Sequence, residues 1–266
     1  MGVSKEIVMR LVFDHRMIQH INESALKERG RISPVMILLE RILRMKVVSL
    51  PLGIAERIGG FILALPIPGY SSIIYALVTG MRGLPHLFGM YVRGLYYREK
   101  LGVMESNVFI DQGVFFAYPK GVELKEFSYI DKNVIIMSRV ARVGRRVHIA
   151  PRCFVSGGGE FEIDDYACMA TNSNVITSTE VLKDGARCSG PMVSAEQRNV
   201  YRGKVKIKKD AFIGANATLL PGVTVSEGSV VGAGVTVSKD TAPWGVYVGA
   251  KAQHIAERLP VKWPDN

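Results

Sequence analysis

The sequence predicts a mainly β protein, a parallel β-helix of six-residue repeats preceded by an α-helical region, on three observations. From Ile207 onward an aliphatic residue recurs at every sixth position without a gap, through Ile213, Leu219, Val225, Val231 and Val237. Upstream the series runs Leu124, Ile130, Ile136, then Val143, Ile149, Val155, then Ile163, Met169, Val175, three triplets separated by slips of one and two residues. Residues 1–105 lack this period and show helical spacing instead. A period of six matches neither an α-helix nor a two-faced strand. It fits a coil with three short strands per turn, each repeat sending one aliphatic side chain inside. The strings I-G-A-N, L-P-G-V and V-G-A-G-V supply the small and turn-forming residues that corners need.

The N-terminal elements follow in order. Lys5 to Arg29 carries Ile7, Val8, Leu11, Val12, Ile18 and Ile21 at helical spacing and ends at Gly30, a C′ glycine. Ser33-Pro34 reads as an N-cap with proline in the first helical position. The helix it opens sets Val35, Leu38, Leu39 and Ile42 on one side and Arg41, Arg44 and Lys46 elsewhere, and Pro51 opens a third helix. Ile58 to Met81 contains no charged residue and is broken by Pro66-Ile67-Pro68-Gly69. That length would span a bilayer, but two central prolines remove donors and expose backbone. The expectation is two short apolar helices that dip into one leaflet and return, with basic helices on the headgroups. Residues 51–92 are thus expected to touch lipid at the cytoplasmic face of the membrane; the alternative is a soluble helical domain packed on the β-helix or on a neighbouring subunit. The predicted organisation is a helical region 1–105, a β-helix domain 106–258 with a loop 181–204 extruded from one corner, and a tail 259–266.

Composition narrows the classes. The 266 residues carry a net charge of +10, spread over both halves, and 48% are hydrophobic, so a large core is available. No nucleic-acid-binding motif accompanies the basic balance, so no nucleic-acid partner is expected. Cys153, Cys168 and Cys188 show no CxxC spacing, which argues against a disulfide scaffold. Lys5, Glu6, Arg10 and Asp14 interrupt the N-terminus, unlike a secretory signal.

The string from Gly203 to Asp240, G-K-V-K-I-K-K-D-A-F-I-G-A-N-A-T-L-L-P-G-V-T-V-S-E-G-S-V-V-G-A-G-V-T-V-S-K-D, closely resembles the hexapeptide-repeat acetyltransferases, in particular the maltose and galactoside O-acetyltransferase group. The resemblance covers roughly 108–258. It implies a left-handed coil, a homotrimer, and acetyl-CoA as co-substrate in the groove between neighbours. It places coenzyme contacts on Phe212 (near the thioester), Gly214, Ala215, Ala233, Ser238 and Lys239. Small residues let a pantetheine chain approach backbone amides, and a lysine meets a phosphate as a point charge. H-I-A-P-R-C-F-V-S-G-G-G-E-F-E-I-D-D-Y, S-G-P-M-V-S-A-E-Q-R-N-V and Leu95-Tyr96-Tyr97-Arg98 resemble a subgroup found with surface-polysaccharide genes. The expected activity is sugar O-acetylation of a surface polysaccharide or of its lipid- or nucleotide-linked precursor. Three-histidine zinc binding, known in carbonic anhydrases of this fold, is not expected, since the β-helix holds only His148 and His254.

One departure matters. The better-known members have their catalytic histidine where the long loop begins, and here that position is Glu180. Transfer to a hydroxyl needs a general base poised near neutrality. By elimination that is His148, beside an inward Ile149, with Glu180 supporting it or itself the base. Asn172, Thr177 and Ser178 are polar residues at the same end of the coil and are candidates for binding acceptor hydroxyls. Tyr96, Tyr97 and Trp244 read as packing aromatics. A sugar N-acetyltransferase of the same fold and a non-catalytic scaffold remain as alternatives.

Overall fold

The computed structural model describes residues 11–29, 32–67, 69–70, 72–74, 77, 86–182, 186–190, 193–249 and 253–257. From Val103 the chain winds through three sheets, visiting each once per turn. The first sheet stacks Val103–Met104, Val122–Leu124, Val140–Val143, Glu160–Ile163, Lys204–Ile207 and Thr224–Val225. The second stacks Phe109–Ile110, Tyr129–Ile130, His148–Ile149, Cys168–Met169, Phe212–Ile213, Val230–Val231 and Gly245–Val248. The third stacks Phe115–Phe116, Ile135–Ile136, Phe154–Ser156, Asn174–Ile176, Thr218–Leu219 and Thr236–Val237. Every one of these pairings is parallel. The coil therefore starts three residues before the expected boundary at 106.

The predicted inward column is fully buried from Leu124 to Val237, and Ile110 extends it one coil earlier. A second inward position, two residues earlier in each repeat, was not visible in the period. It is filled about equally by small residues, such as Ala141, Cys153, Ala167, Ser173, Ala211 and Ala217, and by valines, such as Val122, Val147, Val205 and Val235, with Phe161 the large exception. Two of the three corners turn through the left-handed region in every coil, and the third does so at Gly157 and Gly222. One column runs Asn107, Phe127, Arg146, Tyr166, Asp210, Gly228 and Trp244, and the other Gly113, Asn133, Arg152, Asn172, Asn216 and Gly234. Asparagine and glycine tolerate this conformation best.

The slips at 137–142 and 156–162 fall at the third corner, between the third sheet and the first, and the large loop leaves from it. The loop is not structureless. Ser178–Glu180 and Val200–Arg202 form an antiparallel ribbon at its root, and Lys204 already belongs to the first sheet, so the loop runs from 178 to 203.

The helical region is α1 His15–Arg29, α2 Pro34–Arg44, α3 Lys46–Leu63 and α4 His86–Lys100. Three expectations change. Residues 11–14 are not helical because tertiary partners take their backbone groups. Val12 N donates to Glu56 Oε2 at 2.8 Å, Val12 O accepts from Asn107 N at 2.8 Å, and Asp14 N donates to Asn107 Oδ1 at 2.8 Å. Ser33 has the extended conformation of a cap and Pro34 opens α2, but no side-chain capping bond forms. Pro51 lies inside α3 rather than opening it, at the cost of one helical hydrogen bond. The break after Leu63 is present, and residues 70, 72–74 and 77 are helical again. Among the described residues no helix is long and apolar enough to cross a membrane. The start of the first helix, Gly30, Pro68, 78–85 and the tail 259–266 lie outside the described residues.

Helix α4 closes the first coil. Tyr96 and Tyr97 are buried, and Tyr97 donates its hydroxyl to Val114 O at 3.0 Å and meets Phe116 edge-on at 5.3 Å. At the other end Gln253–Glu257 pairs antiparallel with Gly245–Val248, and the Trp244 ring covers Gly228. All three aromatics thus pack as expected.

Candidate functional site

Because strand pairing is parallel and in register, side chains at one repeat position form columns. On the outer face of the second sheet one column runs Phe109, Tyr129, His148, Cys168, Phe212 and Val230. His148 and Phe212 therefore share a face with one residue, Cys168, between them. At about 4.8 Å per rung they stand roughly 10 Å apart. The His148 side chain is 43% exposed and Phe212 is 40% exposed.

His148 is held from two directions. Its ring stacks on Tyr129 at 5.1 Å between centroids and 11° between planes, and Nε2 lies 3.2 Å from Asp131 Oδ2. A carboxylate accepts, so Nε2 carries the hydrogen toward Asp131 and Nδ1 keeps the lone pair that can take a proton. The chain of contacts continues inward. Tyr129 donates its hydroxyl to Asp111 Oδ2 at 3.0 Å, with Asp131 Oδ1 at 3.4 Å. Asp111 Oδ1 lies 3.5 Å from the guanidinium of Arg93, a buried residue of α4 that donates Nε to Ile110 O at 2.8 Å. Burial, reinforced by the charges of Asp111 and Asp131, pushes the Tyr129 hydroxyl well above the usual phenol range, so it stays a donor. Burial likewise raises the Cys168 thiol and keeps it neutral beside the histidine.

Arg93, Asp111, Tyr129 and Asp131 were all missed. A signal existed for three of them: F-I-D-Q-G and Y-I-D-K-N repeat one coil apart, each placing an acid just after the inward isoleucine below H-I-A-P-R. Nothing in the sequence marks Arg93.

The other predicted residues fall into two groups. Gly214, Ala215, Ala233 and Asn172 belong to the corner between the second and third sheets. Asn172 N donates to Pro151 O, Asn216 N to Thr171 O and Gly234 N to Ala215 O up that corner. Gly214 is buried where a Cβ would come within 2.6 Å of Ala233 N, so close packing of coils requires it. Ala233 is exposed, and beside Gly234 an added Cβ would meet nothing within 4 Å, leaving an open rail of small residues. Thr177, Ser178, Glu180, Ser238 and Lys239 lie at or beyond the opposite corner, where the third sheet ends. Ser238 and Lys239 are exposed. Thr177 is fully buried: its hydroxyl donates to Ser156 O at 2.7 Å and accepts from Gly159 N at 3.1 Å, so it shapes the corner and offers nothing to a ligand. Glu180 sits on the ribbon and accepts from Ser189 Oγ at 3.1 Å; within the chain Asp131, not Glu180, faces His148. Among the described residues no cluster of metal-ligating side chains occurs.

Residues 204–239 match the family model described as the hexapeptide repeat of succinyl-transferase. The chain carries this repeat and is similar to hexapeptide-repeat acyltransferases. It is 35% identical over 112 residues to the dTDP-4-amino-4,6-dideoxy-D-glucose acyltransferase of Escherichia coli, a match covering 42% of this chain and 58% of that one. Thus the chain spans little more than half the length of that relative. A variant of AntD, an N-acyltransferase from Bacillus cereus solved with dTDP and coenzyme A, is similar at 29% identity and a TM-score of 0.53, over 57% of this chain and 82% of AntD. A second AntD variant, solved with dTDP-4-amino-4,6-dideoxyglucose and coenzyme A, gives 27% identity and a TM-score of 0.55, over 61% and 87%.

Proposed function

We propose that this chain transfers an acetyl group from acetyl-CoA to a sugar, with His148 as general base. The observation that carries this reading is the Asp131-oriented imidazole on the same exposed face as Phe212. An acceptor hydroxyl gives its proton to Nδ1 of His148 as its oxygen bonds the thioester carbonyl carbon. The carbon–sulfur bond then breaks and the proton returns to the departing thiolate, leaving a sugar ester and free coenzyme A. The exposed rail of small residues and Lys239 suit the coenzyme, whose thioester supplies the acyl group. The acceptor is a sugar of a surface polysaccharide or of its lipid- or nucleotide-linked precursor. A specific observation favours a second reading, N-acetylation: AntD is an N-acyltransferase solved with an amino sugar linked to dTDP. Parallel assays with hydroxyl and amino sugars, followed by mild alkali, separate the two, since an ester is cleaved and an amide survives. In either case Lys239→Ala is expected to weaken acetyl-CoA binding by roughly tenfold while leaving unfolding unchanged. Equal affinities by calorimetry would remove Lys239 from the site.

The site is completed in a homotrimer. His148, Phe212 and the rail lie on one face and its corner, whereas Glu180, Ser178, Ser238 and Lys239 lie at the opposite corner of the same prism. Three-fold packing brings the two sets together across each subunit boundary.

The helical region docks on the cytoplasmic face of an anionic membrane through 51–92 and the helix before it. Val35, Val47, Ile58 and Phe61 are 70%, 73%, 58% and 62% exposed, and Leu38, Leu50, Ile54, Ile62, Ile67, Ile73 and Leu77 are exposed as well. So many large apolar side chains left exposed in one helical region point to an interaction site. Arg41 and Arg44 lie on α2 and Lys46 and Arg57 on α3, the helices that carry most of them. The nearby acids are already engaged, Glu40 with Arg44 and Glu56 buried against Arg98. That balance suits acidic headgroups above acyl chains. The full chain is expected to float with phosphatidylcholine vesicles containing phosphatidylserine, and Ile58→Glu with Phe61→Glu to abolish flotation while the trimer persists. If the double variant instead dissociates the oligomer, the surface is a subunit interface and the membrane reading fails.

A further inference from the structure

Four glycines surround the root of the extruded loop, and three are explained by the fold. A Cβ on Gly157, at φ +87°, would collide with the backbone and side chain of Ser178. One on Gly159 would meet Thr177 O and Gly203 O, and one on Gly203 would meet Gly222 N. Gly158 is different. Its φ lies outside the left-handed region, and the three atoms nearest to a Cβ there all belong to side chains. They are Arg202 Nε at 3.4 Å, Arg139 Nε at 3.8 Å and Arg202 Cδ at 3.8 Å. Two guanidiniums thus converge over a bare glycine, in a cavity of about 330 Å³ lined also by Val140, Glu160 and Lys204. Neither Arg139 nor Arg202 has a carboxylate partner among the described residues. Glu160 is oriented 3.9 Å from Arg142, and Lys204 is committed to Glu162 at 2.7 Å. Bringing two like charges together costs free energy unless an anion sits between them.

We infer that Gly158, Arg139 and Arg202 form a diphosphate-binding site for the acceptor. Paired planar forks match phosphate oxygens bidentately, and the missing side chain at Gly158 leaves room for them. The position fits the proposed function, on which the inference rests: the site opens at the corner that carries Ser178 and Glu180, the corner that trimer packing would set against a neighbour's His148. Phosphate also occurs in coenzyme A, so the test must separate the two sources.

Calorimetric titration of the intact protein with thymidine diphosphate and, separately, with coenzyme A does so. Arg139→Ala and Arg202→Ala are each expected to weaken thymidine diphosphate binding about tenfold and to leave coenzyme A binding unchanged. Gly158→Val should do the same without lowering the melting temperature, because its side chain would fill only the space between the guanidiniums. Weakened coenzyme A binding with unchanged thymidine diphosphate binding would assign the site to the coenzyme and overturn the inference. Unchanged binding of both, or no binding of thymidine diphosphate by the parent protein, would also overturn it. Sugar-dependent release of free thiol by the same preparations shows whether the proposed activity survives that failure.

Discussion

His148→Ala is expected to lower sugar-dependent turnover by ~10²–10⁴-fold, the usual cost of removing a general base. The loss should appear in kcat, with acetyl-CoA affinity and oligomeric state unchanged. The side chain is 43% exposed and its contacts are to Asp131 and Tyr129, so its removal opens no cavity in the prism. Asp131→Asn should be milder, because the imidazole keeps its stacking on Tyr129 and loses only the carboxylate that fixes its tautomer. Steady-state kinetics of these variants beside Glu180→Gln decides the assignment. If His148→Ala keeps most of its activity and Glu180→Gln does not, the acid at the loop root is the base, and the role given to the His148–Asp131 pair is wrong.

Phe161→Ala is expected to cost about 3–5 kcal/mol of stability. Phe161 is fully buried in Glu160–Ile163, a central strand of the first sheet flanked by Val140–Val143 and Lys204–Ile207. At this inward position its partners in the neighbouring coils are Ala141 and Val205, both much smaller than the ring they would have to replace. Each coil of a solenoid contacts only its neighbours, so a cavity at mid-stack weakens both interfaces at once. Denaturant unfolding followed by far-ultraviolet circular dichroism measures the effect. A loss below about 1 kcal/mol would mean that the prism relaxes around the void, contrary to its tightly registered pairing.

The solenoid was legible because its geometry is written into spacing. One aliphatic residue per six fixes three strands per coil, and Ile207 to Val237 records two uninterrupted coils. The second inward position escaped notice because its valines are interspersed with Ala, Ser and Cys, which breaks the hydrophobic period. The helical region was legible in its helices and in the Pro-Ile-Pro-Gly break. Its edges were not. Leu11 to Asp14 reads as amphipathic helix, yet Glu56 and Asn107, far off in sequence, claim its backbone groups. His148 was found because imidazole is the side chain suited to neutral pH, whereas Asp131 required knowing that residues about one coil apart become neighbours. Glu180 was placed by resemblance, and the ribbon that carries it off the prism has no signature in a loop otherwise rich in polar residues.

Release of free thiol from acetyl-CoA by the intact protein, with and without a sugar acceptor, tests the central claim most directly. The account predicts release that depends on the sugar, yields an acetylated sugar in equal amount, and falls with His148→Ala. Tight binding of acetyl-CoA without sugar-dependent release across hydroxyl and amino sugars, free and nucleotide-linked, would contradict it, and absence of acetyl-CoA binding altogether would leave a β-helical scaffold in place of an enzyme.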